Sequence, residues 1–115
     1  MDLEFPRGDT KVFKFKITDK NGEELTLTSA DKLYMTVKKD ANSNTVRFQK
    51  RIGNGIELKD DGYYHVTIFP DDTNHLSYGQ YGYDIQINTA TGIVKTLALG
   101  TITLTEEYTF KGDEV

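Results

Sequence analysis

Residues 63–69 read Tyr-Tyr-His-Val-Thr-Ile-Phe, and Pro70 stops the run. Tyr64, Val66 and Ile68 alternate with Tyr63, His65, Thr67 and Phe69, the period-two pattern of a strand with one buried face. Proline cannot donate to a ladder, so the strand ends at Phe69. The alternation recurs on both sides. Residues 80–88, QYGYDIQIN, set Tyr81, Tyr83, Ile85 and Ile87 on one face. Residues 32–39, KLYMTVKK, do the same with Leu33, Met35 and Val37, and residues 11–18, KVFKFKIT, with Phe13, Phe15 and Ile17. Residues 45–51, TVRFQKR, are expected to turn Val46 and Phe48 inward and to form a hairpin with 32–39. The last run, 93–105, carries Ile102 and Leu104 on one face, with Gly100 expected to mark a bulge. Leu25 with Leu27, and Ile56 with Leu58, offer two brief pairings.

Turn chemistry separates these runs. Asp19-Lys20-Asn21-Gly22, Asp60-Asp61-Gly62 and Thr89-Ala90-Thr91-Gly92 are turn sequences. Residues 71–77 follow Pro70, begin with carboxylates and hold one apolar anchor, Leu76, so a single helical turn is expected there. About seven short strands at such spacing predict an all-β, antiparallel immunoglobulin-like β-sandwich. One domain over 1–115 is expected, with 111–115 a frayed tail.

Composition agrees. Thr, Ile, Val, Tyr and Phe make 42 of the 115 residues against only four Ala, which favours pleated surfaces over helix. Leu, Ile, Val and Phe number 29, above the level of about one fifth that marks disorder. Cysteine is absent, which excludes disulfides, thiolate metal sites and cysteine nucleophiles. The net charge of −4 disfavours a general nucleic-acid binder. No run approaches the roughly 18 apolar residues of a membrane span. Met1-Asp2-Leu3-Glu4 lacks the features of a signal peptide, so a soluble chain made inside the cell is expected.

No constellation of catalytic grade is found. His65 lies mid-strand opposite Val66, His75 lies in the 71–77 turn, and no third ligand is fixed near both. None of the serines sits in a nucleophile elbow. Asp60-Asp61 and Asp71-Asp72 adjoin turns, where capping explains them. The Asp19–Glu24 loop resembles a calcium loop, but its twelfth position is Ala30, which offers no oxygen. Arg7-Gly8-Asp9 spells an adhesion tripeptide, and the plainer reading is a turn after Pro6. Lys11, Lys14, Lys16, Lys38, Lys39, Arg47, Lys50 and Arg51 are read as solvating and edge-protecting. Tyr64, Tyr81 and Tyr83 are read as core. No enzyme activity, metal or cofactor is expected.

Several stretches together carry a resemblance: Phe5-Pro6-Arg7-Gly8-Asp9-Thr10, Phe48-Gln49-Lys50, Gly62-Tyr63-Tyr64 leading to Ile68-Phe69-Pro70-Asp71-Asp72-Thr73, Leu76 to Gln86, and Thr96 to Glu106. Over nearly its whole length the chain resembles small tailed-phage and prophage structural proteins, in particular the N-terminal immunoglobulin-like domain of phage upper baseplate proteins. The resemblance implies a non-catalytic β-sandwich that docks onto other phage structural proteins in a tail or baseplate. It would be made in the bacterial host cytoplasm, bind no nucleic acid or membrane, and could form a homo-oligomer. The chain departs from the long baseplate proteins by ending soon after the sandwich. Candidate interface residues are Phe5, Arg7, Tyr34, Tyr63 and Phe69, which lie opposite the inferred core or near the terminus and are of types enriched at interfaces. A carbohydrate-binding β-sandwich module is the alternative.

Overall fold

The computed structural model describes residues 2–18, 21–25, 27–28 and 30–107. The strands are β1 (Leu3–Pro6), β2 (Lys11–Phe15), β3 (Lys32–Lys38), β4 (Val46–Ile52), β5 (Gly55–Leu58), β6 (Tyr64–Ile68), β7 (Gly79–Asn88) and β8 (Val94–Thr105), with one helical turn, α1 (Pro70–Thr73), before β7. They form one eight-stranded, nearly barrel-shaped sheet in the order β1-β8-β7-β3-β4-β5-β6-β2. All-β character is thus as expected, and the sheet is continuous.

Continuity comes from a corner between β4 and β5. Arg51 pairs with Gly55 and Ile52 with Ile56 in parallel register. Parallel strands in a flat sheet need a crossover of a dozen or more residues. So short a link can only be a bend, in which the chain leaves one half of the sheet and starts the other. Glycines with φ of +88° at Gly53 and +98° at Gly55 make that bend. The inner face of the curled sheet lines a single core. Leu33, Met35, Val37, Tyr83, Ile85, Ile102 and Leu104 come from one half, and Phe13, Ile56, Tyr64, Val66 and Ile68 from the other. Each fully buried aliphatic side chain in this core contributes about 1.5–3 kcal/mol.

The alternation in β2, β3, β6 and β7 has the expected faces, and Tyr64, Tyr81 and Tyr83 are core. Four expectations need correction. Leu3–Pro6 is a strand, paired in parallel with Ile102–Thr105 from the far end of the chain. The irregularity in β8 falls at Leu97, since Ile85 pairs with Ala98 and Gln86 with Thr96, while Gly100 pairs regularly with Tyr83. Leu25 is exposed and lies beside a lone bridge, Thr18 to Glu24. In β4, Val46 is exposed and Phe48 only half-buried, and the pairing slips after Val37–Phe48 so that Lys38 pairs with Val46. Asp19 and Lys20 of the first expected turn and the 111–115 tail lie outside the described residues.

The buried residue of β4 is Lys50, at 3% exposure. Its Nζ lies 2.5 Å from Asp72 Oδ2 at the start of α1, and the same oxygen accepts the Phe69 N–H at 2.7 Å. A lone buried ammonium is costly, and a carboxylate with a second donor offsets that cost. The lysine stem runs against Gly55, where an added Cβ would lie 2.4 Å from Lys50 Cδ. We expect Lys50→Ala to lower unfolding free energy by about 2–4 kcal/mol, and Gly55→Ala by about 2 kcal/mol or more through strain and crowding. In chemical denaturation the double variant should cost about 1 kcal/mol less than the sum. Strict additivity would mean that the lysine stem does not fill the space left by Gly55.

Candidate interaction surface

Among the described residues there is no group of three or more His, Asp and Glu side chains that could hold a metal ion. The two histidines are separate: His65 is on β6 and His75 is exposed after α1. What the fold presents is surface, and the strand register decides which side chains share it.

The outer face of β2, β5 and β6 holds a groove of about 560 Å³. Val12 pairs with Thr67 and Glu57 with His65, so these four face outward together while Phe13, Val66 and Ile56 face the core. Val12, Ile52, Leu58 and Phe69 line the groove, all more than 40% exposed. Glu57, Lys59 and His65 supply polar lining. Phe69 is held by two constraints: its N–H is bound to Asp72, and its ring has Lys50 Nζ 4.9 Å from the centroid.

Beside the groove is a charged cluster. Lys14 Nζ and Lys16 Nζ lie 4.4 and 4.6 Å from the centre of the Tyr63 ring. Lys16 is also bonded to Glu24. Asp61 accepts the Tyr63 N–H at 2.9 Å and contacts His65 Nε2 at 2.9 Å, with Lys14 at 3.8 Å. The Tyr63 amide and then the His65 ring hold the Asp61 carboxyl below its ordinary 3.8.

A second hollow, of about 490 Å³, lies on the outer face of β3, β7 and β8. Thr36, Lys38, Asp84, Gln86 and Leu99 surround Gly82, whose missing side chain leaves the centre open. Tyr34 lies between Arg51 of β4 and Gln86 of β7 in the register of that face and is half-buried.

The expected interface residues therefore divide. Phe69 is accessible in the groove, Tyr63 is flanked by lysines beside it, and Tyr34 is on the opposite outer face. Phe5 is 6% exposed and pairs with Leu104. It is a core residue, because β1 faces inward at Leu3 and Phe5. Arg7 is engaged as well. It bonds Glu107 Oε1 at 2.9 Å and the Leu76 carbonyl at 3.0 Å, and stacks 4.3 Å from the Tyr78 ring. Its tripeptide forms the expected turn, with the Asp9 N–H bonded to the Pro6 carbonyl. The basic residues are mostly solvated, with Lys50 the exception. Sequence reasoning missed Val12, Ile52 and Leu58; an apolar residue on the lysine-bearing face of β2 was the available signal for Val12.

Asp31 is a second depressed carboxyl. It accepts the Thr28 N–H at 3.0 Å and the Ala90 N–H at 2.9 Å, and these two bonds lower its pKa from 3.8. It ties the loop before β3 to the β7–β8 turn. Groups with folded-state values below the unfolded one stabilise fully above the unfolded value and lose that contribution as pH falls through the folded value. Thermal melts from about pH 6 to about pH 2 should thus show falling stability below pH 4. The Asp31→Asn/Asp61→Asn variant should show a shallower fall. Equal slopes would remove both carboxyls from the acid response.

No family model matches this chain, and no curated protein matches it at a significant level.

Proposed function

We propose that this is a non-catalytic structural protein of a phage tail or baseplate that works through protein–protein contacts. The observation that carries the contact-making role is the groove on β2, β5 and β6. Four apolar side chains exposed together, with charged neighbours, are the composition of a contact patch rather than of a solvated face. Phe69 is the central aromatic, and the Lys50 contact restrains it before any partner arrives, which lowers the entropy cost of binding. The phage setting itself rests on the resemblance read from the sequence.

The finer fold reading is immunoglobulin-like, and two features support it. The order β1-β8-β7-β3-β4 followed by β5-β6-β2 matches two facing sheets of such a domain, with the first strand lying parallel to the last. Tyr81, near the start of β7, donates its hydroxyl to the Ser77 carbonyl at 2.8 Å, as a tyrosine corner does.

The hollow around Gly82 favours a second reading, a carbohydrate-binding module. Thr36, Asp84 and Gln86 are hydrogen-bonding side chains of the kind that hold sugar hydroxyls, and Leu99 gives an apolar wall. Under this reading, chemical-shift titration with a glycan panel at millimolar concentration moves the amides of these residues, and Asp84→Ala abolishes the shifts. No shift with any glycan removes this reading.

The principal reading is tested in particles. A tagged chain expressed in the source strain should co-purify with intact tailed particles on a density gradient after induction. Val12→Asp/Ile52→Asp should lose that association by about thirtyfold or more while keeping its melting temperature. These sites are preferred to Phe69, whose removal would also uncover Lys50. Absence of the wild-type chain from purified particles defeats the phage reading. Undiminished association of the variant defeats the groove.

A further inference from the structure

We infer that Asn54-Gly55, at the corner between β4 and β5, is a site of spontaneous covalent modification: Asn54 deamidates through a succinimide, and the isoaspartyl product loosens the corner. The inference does not depend on the phage reading or on the groove.

The chain has six asparagines, and only Asn21 and Asn54 precede glycine. Closing the five-membered ring brings the next residue's nitrogen onto the asparagine side chain, and glycine puts no Cβ in the way. Asn42 and Asn44 precede Ser43 and Thr45. Asn74 Nδ2 is bonded to Asp71 Oδ1 at 3.3 Å, and Asn88 Oδ1 is buried. Asn21 engages a further group. Asn54 is exposed, and among the described residues its side-chain amide has no hydrogen-bond partner. It is free to turn its Cγ towards the Gly55 nitrogen.

The backbone at the corner favours the attack. The Arg51 N–H donates to the Asn54 carbonyl at 3.0 Å, and the Asn54 N–H donates to the Arg51 carbonyl at 2.8 Å, which closes a tight turn over Ile52 and Gly53. When the Gly55 nitrogen loses its proton, negative charge spreads onto the Asn54 carbonyl oxygen. The Arg51 N–H already points at that oxygen, and a fixed donor stabilises charge that develops there. Gly55 is itself required by the fold, since a Cβ at that position would lie 2.4 Å from Lys50 Cδ. The corner thus depends on the residue that makes Asn54 reactive.

Water is the only co-reactant. The deprotonated Gly55 nitrogen bonds to Asn54 Cγ, the Cγ–Nδ2 bond breaks, and ammonia leaves. Water then opens the ring in one of two ways. Breaking the new bond to Cγ gives aspartate in the ordinary linkage. Breaking the original peptide bond gives isoaspartate, in which Cβ has entered the main chain. In sum one water is consumed and one ammonia released. Both products carry a new negative charge, but only isoaspartate lengthens the backbone by one carbon. That carbon shifts Gly55 from its pairing with Arg51 and from its place against the Lys50 stem.

The test is incubation at mildly alkaline pH of the folded chain and of the chain in guanidinium chloride, followed by peptide mass mapping and isoaspartyl methyltransferase labelling. In the folded chain Asn54 should convert about tenfold faster than Asn21, a barrier difference of about 1.4 kcal/mol. In denaturant the two should convert at similar rates, because both precede glycine. The isoaspartyl fraction, separated by chromatography, should melt below Asn54→Asp, which carries the same charge without the added carbon. A folded chain that keeps Asn54 intact while the denatured chain converts overturns the site. So does folded Asn21 converting as fast as Asn54. An isoaspartyl fraction that melts together with Asn54→Asp overturns the loosening of the corner.

Discussion

A lysine ammonium at 3% exposure has lost most of its water, and a carboxylate beside it offsets that loss. Lys50 leaves β4, passes the bare backbone of Gly55 and reaches Asp72 at the start of α1. The end of β4, the corner that follows it and the helical turn after β6 are thereby set against one another. Asp72 also holds the Phe69 amide, so the aromatic ring is placed by the same carboxylate that neutralises the lysine. The Phe69 amide and the Lys50 ammonium thus share one carboxylate, and the ammonium also lies against the Phe69 ring.

The ends of the described chain are joined by a second arrangement of the same kind. β1 pairs in parallel with the end of β8, and Arg7 draws together Glu107, the Leu76 carbonyl and the Tyr78 ring. Here a guanidinium serves where an ammonium serves at Lys50, because several acceptors and a ring face must be met in different directions. The first strand and the last are thus fixed relative to the α1–β7 connection, and the sheet curls until it is nearly a barrel.

These constraints decide which surfaces are left for other molecules. Phe5 and Arg7 are taken up by the structure. The outer face of β2, β5 and β6 keeps an apolar groove, and the outer face of β3, β7 and β8 keeps a polar hollow. The groove presents apolar side chains, and the hollow presents mainly hydrogen-bonding ones.

Strands whose two faces meet contrasting environments are legible in the sequence alone. In β2, β3, β6 and β7 every second residue meets the core, so composition follows the pleat and can be read back from it. Tyr64, Tyr81, Tyr83 and the turn after Pro70 were legible for the same local reason. Tyr63 and Phe69 could be placed off the core by their alternation, although not in relation to Val12 or Ile52. The remaining features depend on contacts between separate segments. Leu3–Pro6 becomes a strand only because Ile102–Thr105 lies beside it, and four residues carry too little pattern to announce that partner. Lys50 looks like any solvated lysine until Gly55 and Asp72 converge on it. The slip in β4 and the bulge at Leu97 arise from how strands meet and leave the sheet. Periodicity is a property of one strand against one environment, whereas pairing, closure and buried charge are properties of chain segments brought together, and no single stretch of sequence contains both partners.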